Sequence, residues 1–284
     1  MSSPSRQVSR RNVLVLLLLM LAGVMLLTGQ ARASEFPGAI GQIVINPGGA
    51  NNPDGSDGVR LVVNETGSGY DDIRFANTSQ WCCSAGAPFL NVGGQLFGTA
   101  YASVTNWTRV SVLSTAGTTT VNGSGTGGTG SGAVTIRYEA DRGGRTYVMD
   151  RNVSYTYPNN YATESYTFTI PSGNTDTVKW YYGGDTAPGD SDQGYGIMIA
   201  SPLREVISLN PSSQIQFSLR EVAGSKAFNG AVSQHYSAAR TTIQSGGDIG
   251  FNVTTSLHDA GLMAQWNLGS TPGVQTARFQ QVVD

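Results

Sequence analysis

The chain has 284 residues, of which 37 are glycine and 17 are lysine or arginine, and its net charge at pH 7 is −2. No cluster of basic residues occurs, so the electrostatic footprint of a nucleic-acid-binding protein is missing. The 39% content of hydrophobic residues is enough for a core, which argues against global disorder. His235 and His258 are the only histidines, which excludes a zinc site built from several imidazoles.

The first 33 residues have the three parts of a secretory signal peptide. A basic head that includes Arg10 and Arg11 is followed by an apolar run, Val13 to Leu27, and by the A-x-A exit Ala31-Arg32-Ala33. We expect cleavage after Ala33 and a secreted or surface-displayed product. The alternative is an uncleaved N-terminal anchor, through which alone the chain would contact a membrane, although the apolar run is shorter than the roughly 20 residues of a spanning helix.

The mature region, residues 34–284, carries 13 basic and 19 acidic residues and is therefore acidic, with a net charge of −6. Its first predicted strands are Ile40 to Ile45 and Val59 to Val63. Asn106 to Leu113 and Thr118 to Val121 are predicted to pair as a hairpin. The Gly/Ser/Thr-rich segment Gly123 to Gly132 predicts a surface loop or a boundary between two subdomains.

Strand signals are stronger after this segment. Ala133 to Ala140 and Thr146 to Tyr157 flank a hairpin turn, Asp141 to Gly144. In Ala162 to Ile170, apolar and hydroxyl side chains alternate, which predicts a strand with one buried face. Further strands are predicted at Thr177 to Tyr182, Gly196 to Ala200, Glu205 to Leu209, Ile215 to Leu219, Leu262 to Leu268 and Val274 to Val282, with one helical turn within Ser237 to Gln244.

Many short strands without crossover helices predict an all-β fold, an antiparallel β-sandwich that is either one large sandwich or two smaller units. Residues 34–284 are expected to form one β-sandwich domain, and 123–132 is the candidate internal boundary.

The loop after the strand at Trp180 concentrates three carboxylates, Asp185, Asp190 and Asp192, among glycines. Oxygen ligands at alternating loop positions are typical of Ca²⁺ sites, so these three are candidate metal ligands. The alternative is a turn in which each Asp caps a backbone N–H. Asp54 and Asp57 form a weaker version of the same pattern.

Cys82 and Cys83 are the only cysteines and are adjacent. In an exported protein they could bridge each other in a vicinal disulfide, which would present a flat sulfur surface beside Trp81. Free thiols and a link to a partner are the alternatives.

Aromatic residues are the remaining sign of a binding surface. Trp81, Trp180, Tyr181 and Tyr182 are candidates for a platform on which sugar rings stack. The alternative is that they belong to the core.

Two motifs resemble those of large exported bacterial cell-surface proteins. One is Gly184-Asp185 followed by the D-x-G-x-G of Asp192 to Gly196, and the other is the D-x-G-x-x-x-Q-W-x-L-G-x-x-P-G of Asp259 to Gly273. The segments Asp57 to Arg60 and Asn91 to Gly98 are similar to the opening strands of that type. The resemblance implies a β-sandwich and surface display, and it carries no established activity.

Three functional hypotheses follow. The first is a non-catalytic surface or extracellular interaction module that binds a glycan or another surface protein, with carbohydrate as the expected ligand class. The second is a carbohydrate-active enzyme of mutarotase-like or polysaccharide-lyase-like sandwich architecture, and the third is a structural subunit of a surface coat. No G-x-S-x-G, Walker or Rossmann motif is present, so no catalytic residue is assigned.

Overall fold

The computed structural model describes residues 41–64, 71–82, 86–98 and 104–284. All of them belong to the unit Ser34–Asp284. The predicted signal peptide, residues 1–33, and Cys83 lie outside the described residues. Where the structure describes the chain, no helix is long and apolar enough to cross a bilayer.

Six short strands form the first sheet. Their spatial order is β4 (Thr78–Ser79), β3 (Asp72–Phe75), β2 (Arg60–Asn64), β1 (Gln42–Ile45), β8 (Thr119–Val121) and β9 (Ser124–Gly125). One face of this sheet is buried because its β-branched and aliphatic side chains, such as Ile43, Ile45, Leu61 and Ile73, belong to the main hydrophobic core.

Fourteen strands form the second, larger sheet. Its order is β6 (Gln95–Phe97), β5 (Ala87–Val92), β13 (Val178–Asp185), β19 (His258–Gly269), β14 (Gln193–Ile199), β15 (Glu205–Leu209), β16 (Gln216–Glu221), β20 (Gly273–Val283), β12 (Tyr161–Ile170), β11 (Arg145–Tyr155), β10 (Gly132–Arg142) and β7 (Arg109–Gly117). Beside β19 lies β17 (Gly230–His235), which pairs in parallel with β18 (Phe251–Val253).

The larger sheet folds back on itself, so that its two halves pack face to face as a sandwich. Trp180 on β13 and Trp266 on β19 stack with ring centroids 3.8 Å apart. Trp180 also lies 4.1 Å from the ring of Tyr166 on β12, a strand far from β13 in the sheet order. Inner faces that are distant within the sheet therefore pack against each other. The predicted all-β antiparallel sandwich is confirmed.

The two sheet halves meet where β14 leaves β19. The described pairing between these strands consists of Gln193 opposite Asp259 and Gly194 opposite His258. By contrast, β13 pairs with β19 along the whole length of β13, from Val178 to Asp185. The junction is therefore narrow, and both D-x-G stretches meet there, Asp192 to Gly194 and Asp259 to Gly261.

One predicted hairpin is wrong. Strand β7 pairs with β10, whereas Thr119 to Val121 pairs with β1 in the six-stranded sheet. The chain changes sheet at Gly117, whose φ is +61° and where a Cβ would lie 2.2 Å from the Ser131 carbonyl oxygen. Local strand patterns could not reveal this because both segments fit a hairpin equally well.

The segment Gly123 to Gly132 carries the chain from one sheet to the other. It contains β9 and ends where β10 begins. Side chains on both sides of it, for example Ile45 and Ile136, belong to the same hydrophobic core.

Two local predictions agree with the structure. Along β12, Tyr166, Phe168 and Ile170 are buried, whereas Thr167 and Thr169 are exposed. The turn between β10 and β11 is closed by Arg142 opposite Arg145, and both of its glycines have positive φ. Glycine is favoured at such positions because a type I′ turn requires positive φ at both central residues.

A helix, α1 (Tyr236–Gln244), covers the outer face of β13 and β19. Its buried residues, Ala239 and Ile243, join Tyr181 and Met263 in a second hydrophobic cluster. The predicted helical turn at Ser237 to Gln244 is confirmed, and its packing places the N-terminus of α1 at the narrow junction.

A charged network lies within the core. The Arg151 guanidinium on β11 donates to both oxygens of Glu164, at 2.7 and 2.8 Å, and to both oxygens of Asp71, at 2.5 and 3.2 Å. Tyr182 donates to Asp71, and Gln281 donates to Glu164. Burial raises the pKa of Asp71, and the nearby Glu164 charge adds to this effect. The network joins the chain just before β3 to the larger sheet.

The strand predicted to end at Tyr182 continues through Gly183 to Asp185. Its φ is +142°, and a Cβ there would lie 2.0 Å from the Leu262 carbonyl oxygen on β19. We expect Gly183→Ala to lower the free energy of unfolding by about 2–3 kcal/mol, measured by urea denaturation. The control is Gly144→Ala, whose φ is also positive but whose Cβ meets open space. Equal losses for the two variants would contradict a steric requirement at Gly183.

Candidate functional site

The four aromatic side chains predicted as a sugar platform are all buried. Trp81 is 3% exposed, and Trp180, Tyr181 and Tyr182 are fully buried. Stacking on a ligand would require opening the core, so the platform prediction is wrong and the alternative, core packing, is correct. Trp180, Tyr181 and Tyr182 are buried because β13 is an inner strand, covered on one face by the opposite sheet half and on the other by α1.

The described residues do not show the predicted calcium site, which stays a prediction. The described residues contain no group of three or more His, Cys, Asp or Glu side chains that could hold a metal ion. Asp190 accepts a hydrogen bond from the Ser79 backbone N–H at 2.8 Å, which is the capping role of the alternative interpretation. Asp57 has the same role, because one of its oxygens accepts from the backbone N–H groups of Asn51 and Asn52.

Cys82 is buried and lies beside the end of β13. Its backbone N–H donates to the Asp185 carbonyl oxygen at 3.1 Å. Because Cys83 lies outside the described residues, the vicinal disulfide stays a prediction.

Two of the predicted acidic residues contribute to a different arrangement. Asp185, at the end of β13, lies opposite Gly261 on β19, and Asp259 lies two residues earlier on β19. Period-two alternation puts Asp259 and Gly261 on the same face of the sheet, next to Asp185. The charges of Asp259 and Asp192 both act on the Asp185 carboxyl group, so the three carboxylates lie close together.

The N-terminus of α1 forms the other wall. A Cβ at Gly261 would lie 2.7 Å from both Cα and Cβ of Tyr236, so only glycine permits this approach of the helix to the sheet. His235 immediately precedes α1 and caps it through Nδ1, which accepts from the Ser237 backbone N–H. His235 Nε2 lies 4.0 Å from Asp259 Oδ2.

The rings of His235 and Tyr236 stack, with centroids 5.3 Å apart and planes inclined by 24°. His235 is exposed, and Tyr236 is half-buried. We call Asp185, Asp192, Asp259, His235 and Tyr236 the junction site. The junction site combines the stacked rings of His235 and Tyr236 at the surface with three carboxylates.

The electrostatics of the junction site centre on Asp185. Burial raises its pKa to about 7, and the Asp259 and Asp192 charges add to this effect. The Oδ1 atoms of Asp185 and Asp259 are buried and have no hydrogen-bond partner among the described residues. A proton held between the two carboxyl groups would satisfy both atoms, since a protonated carboxyl is a donor and an ionised one an acceptor.

His258 does not belong to this face. Strand alternation points it to the side of β19 opposite Asp259. Its Nδ1 lies 2.8 Å from the Ser256 carbonyl oxygen, which fixes the N–H on Nδ1 in the neutral ring. Its Nε2 is buried, and no described residue donates to it.

The sequence does not predict three members of the junction site, Asp259, His235 and Tyr236. Adjacent His258 and Asp259 are typical of a surface turn, whereas in the structure both lie at the start of β19. The one sequence signal for the site was the spacing of Asp259 and Gly261. Two residues apart on a strand, they place a carboxylate and a position without a side chain on the same face. Nothing in the sequence indicates that His235 and Tyr236 lie against that face.

The chain was compared with models of protein families and with curated proteins, and neither comparison gave a match. What the junction site does is therefore inferred from its own geometry and chemistry.

Proposed function

We propose that the protein is an exported, non-catalytic interaction module that binds carbohydrate at the junction site. The observation that carries the proposal is the half-exposed ring pair of His235 and Tyr236 beside the carboxylates of Asp185 and Asp259. An aromatic face packs against the apolar face of a sugar ring, and carboxylate oxygens accept hydrogen bonds from its hydroxyl groups. The resemblance to exported bacterial surface proteins supports surface display.

The charge of the site narrows the ligand class. Up to three negative charges lie close together here, on Asp185, Asp192 and Asp259. The charges of Asp259 and Asp192 raise the pKa of Asp185. An anionic polysaccharide would be repelled, because like charges at an interface disfavour the wrong partner. We therefore propose a neutral or positively charged glycan.

A carbohydrate-active enzyme is the second candidate, and one observation favours it. A carboxyl group with a pKa of about 7, as for Asp185, is suited to general acid or base catalysis. One consideration weighs against the enzyme. Lyases of uronate polysaccharides act on anionic substrates, which this acidic site would repel.

The test is a glycan array probed with the purified protein at pH 7. We expect binding to neutral or amino-sugar glycans and about a fivefold weaker affinity for Tyr236→Ala, because an aromatic contact contributes about 1 kcal/mol. Asp259→Asn should weaken binding as well. Asp190→Asn is the matched control: it lies on the neighbouring loop, bonded to Ser79, and should bind as the wild type does.

Three outcomes would count against the proposal. Absence of binding to every glycan would remove carbohydrate as the ligand class and leave the coat subunit. Equal loss in the Asp190→Asn control would place the binding surface elsewhere. Release of reducing ends or unsaturated products from a bound glycan would establish the enzyme instead.

A further inference from the structure

We propose that Asp185 and Asp259 act as a one-proton latch at the sheet junction, sharing a proton when the junction site is closed and separating when that proton is lost. This regulation concerns the same site as the proposed function and, for its effect on ligand binding, rests on that function. The latch itself is defined by the two carboxyl groups and can be tested without a ligand.

The first support is the hydrogen bonding of the pair. The two carboxyl groups come from neighbouring positions on β13 and β19, and the Oδ1 atom of each is buried with no hydrogen-bond partner in the described part of the chain. Two ionised carboxylates in this position would present acceptor to acceptor, which is repulsive. A single proton between them converts this repulsion into a short charge-assisted hydrogen bond.

The second support is the location of the pair. Asp259 is one of the residues that pair β14 with β19, at the narrow junction between the two sheet halves. Next to it, the Thr186 backbone N–H donates to the Ala260 carbonyl oxygen at 2.9 Å, and the Ala260 N–H donates to the Asp192 carbonyl oxygen at 3.0 Å. Repulsion between the two carboxylates would strain these few backbone hydrogen bonds.

The charged groups around the pair come from every element at the junction. Asp192 precedes β14, His235 ends β17 and faces Asp259, and His258 opens β19 on the opposite face. The Asp192 charge opposes ionisation of Asp185, which is therefore the member that keeps the proton.

The sign of the pH effect follows from the direction of the shift. The pKa of Asp185 is raised from 3.8 to about 7, so the folded protein binds this proton more tightly than the unfolded chain. The stability contributed by the latch is complete below the unfolded value and is lost as the pH rises through about 7. Above that pH the two carboxylates separate and expose acceptor oxygens, so glycan affinity should rise over the same interval.

The experiment is a carboxyl ¹³C NMR titration of Asp185 in the ligand-free protein. We expect a midpoint near pH 7 in the wild type and a lower one in Asp259→Asn, which removes the partner charge but leaves burial and Asp192 to hold the midpoint above the ordinary range. Asp190→Asn should leave the Asp185 midpoint unchanged. In parallel, hydrogen exchange at the Ala260 and Thr186 amides, corrected for intrinsic rates, should accelerate between pH 6 and pH 8 in the wild type but not in Asp185→Asn.

An Asp185 midpoint near 4 in the wild type would overturn the latch, as would a midpoint that Asp259→Asn does not move. A midpoint near 7 without any change in amide exchange would overturn the opening step. Because no ligand is present, these outcomes are separate from the glycan-array result: a working latch with no bound glycan would contradict only the proposed function.

Discussion

Replacing Arg151 by leucine is expected to lower the free energy of unfolding by about 3–5 kcal/mol, because it removes the cation from a buried charge network. Arg151 is 1% exposed and bonds to both Asp71 and Glu164, which are themselves buried. Without the guanidinium, two carboxylates would remain in the core with only Tyr182 and Gln281 as donors. Urea denaturation at pH 7, followed by circular dichroism, measures the loss.

The matched control is Arg137→Leu on the neighbouring strand. Arg137 also bonds to both oxygens of one carboxylate, Asp150, at 2.7 Å, but its side chain is 40% exposed. Solvent screens such a pair, so the expected cost is below about 1 kcal/mol. Should Arg151→Leu cost no more than Arg137→Leu, the buried network would not be a major source of stability. If Arg151→Leu does not fold, Asp71→Asn offers a milder change to the same network.

The second large effect is expected at the centre of the aromatic core. Trp180 is fully buried and stacks on Trp266 with centroids 3.8 Å apart. Trp180→Ala removes this ring and leaves a cavity, and it should cost about 3–5 kcal/mol. Chemical denaturation monitored by circular dichroism is the measurement, since the substitution also removes a fluorophore.

A conservative variant separates volume from hydrogen bonding. The indole N–H of Trp180 has no hydrogen-bond acceptor among the described residues. Trp180→Phe therefore breaks no hydrogen bond to those residues, and it should lower the free energy of unfolding clearly less than Trp180→Ala does. In contrast, the Trp266 N–H donates to the Lys226 carbonyl oxygen at 3.2 Å. Equal costs for Trp180→Phe and Trp180→Ala would show that the aromatic packing at this position contributes little.

Much of the strand content could be predicted because it depends on local patterns. Alternation in Ala162 to Ile170 and the Asp141 to Gly144 turn each specify a strand or hairpin within about ten residues, and both agree with the structure. The hairpin expected for Asn106 to Leu113 with Thr118 to Val121 failed at Gly117. There the choice between two sheets depends on contacts distant in sequence.

The candidate site was predicted less well than the fold. Asp185 and Asp192 were recognised as unusual, but their partners in the structure are Asp259, His235 and Tyr236 rather than Asp190. An Asp in a turn looks the same in sequence whether it caps a backbone N–H, as Asp190 does, or faces another carboxyl group.

By itself, the sequence determined that residues 34–284 are acidic and form strands joined by glycine-rich turns, because charge and side-chain periodicity are local properties. It also predicts export through residues 1–33. The tertiary structure alone decided that Trp180, Tyr181 and Tyr182 of β13 are core, and that a helix N-terminus meets Gly261 beside Asp185. Those outcomes depend on which strands become neighbours, and strand neighbours are chosen by packing across the whole chain.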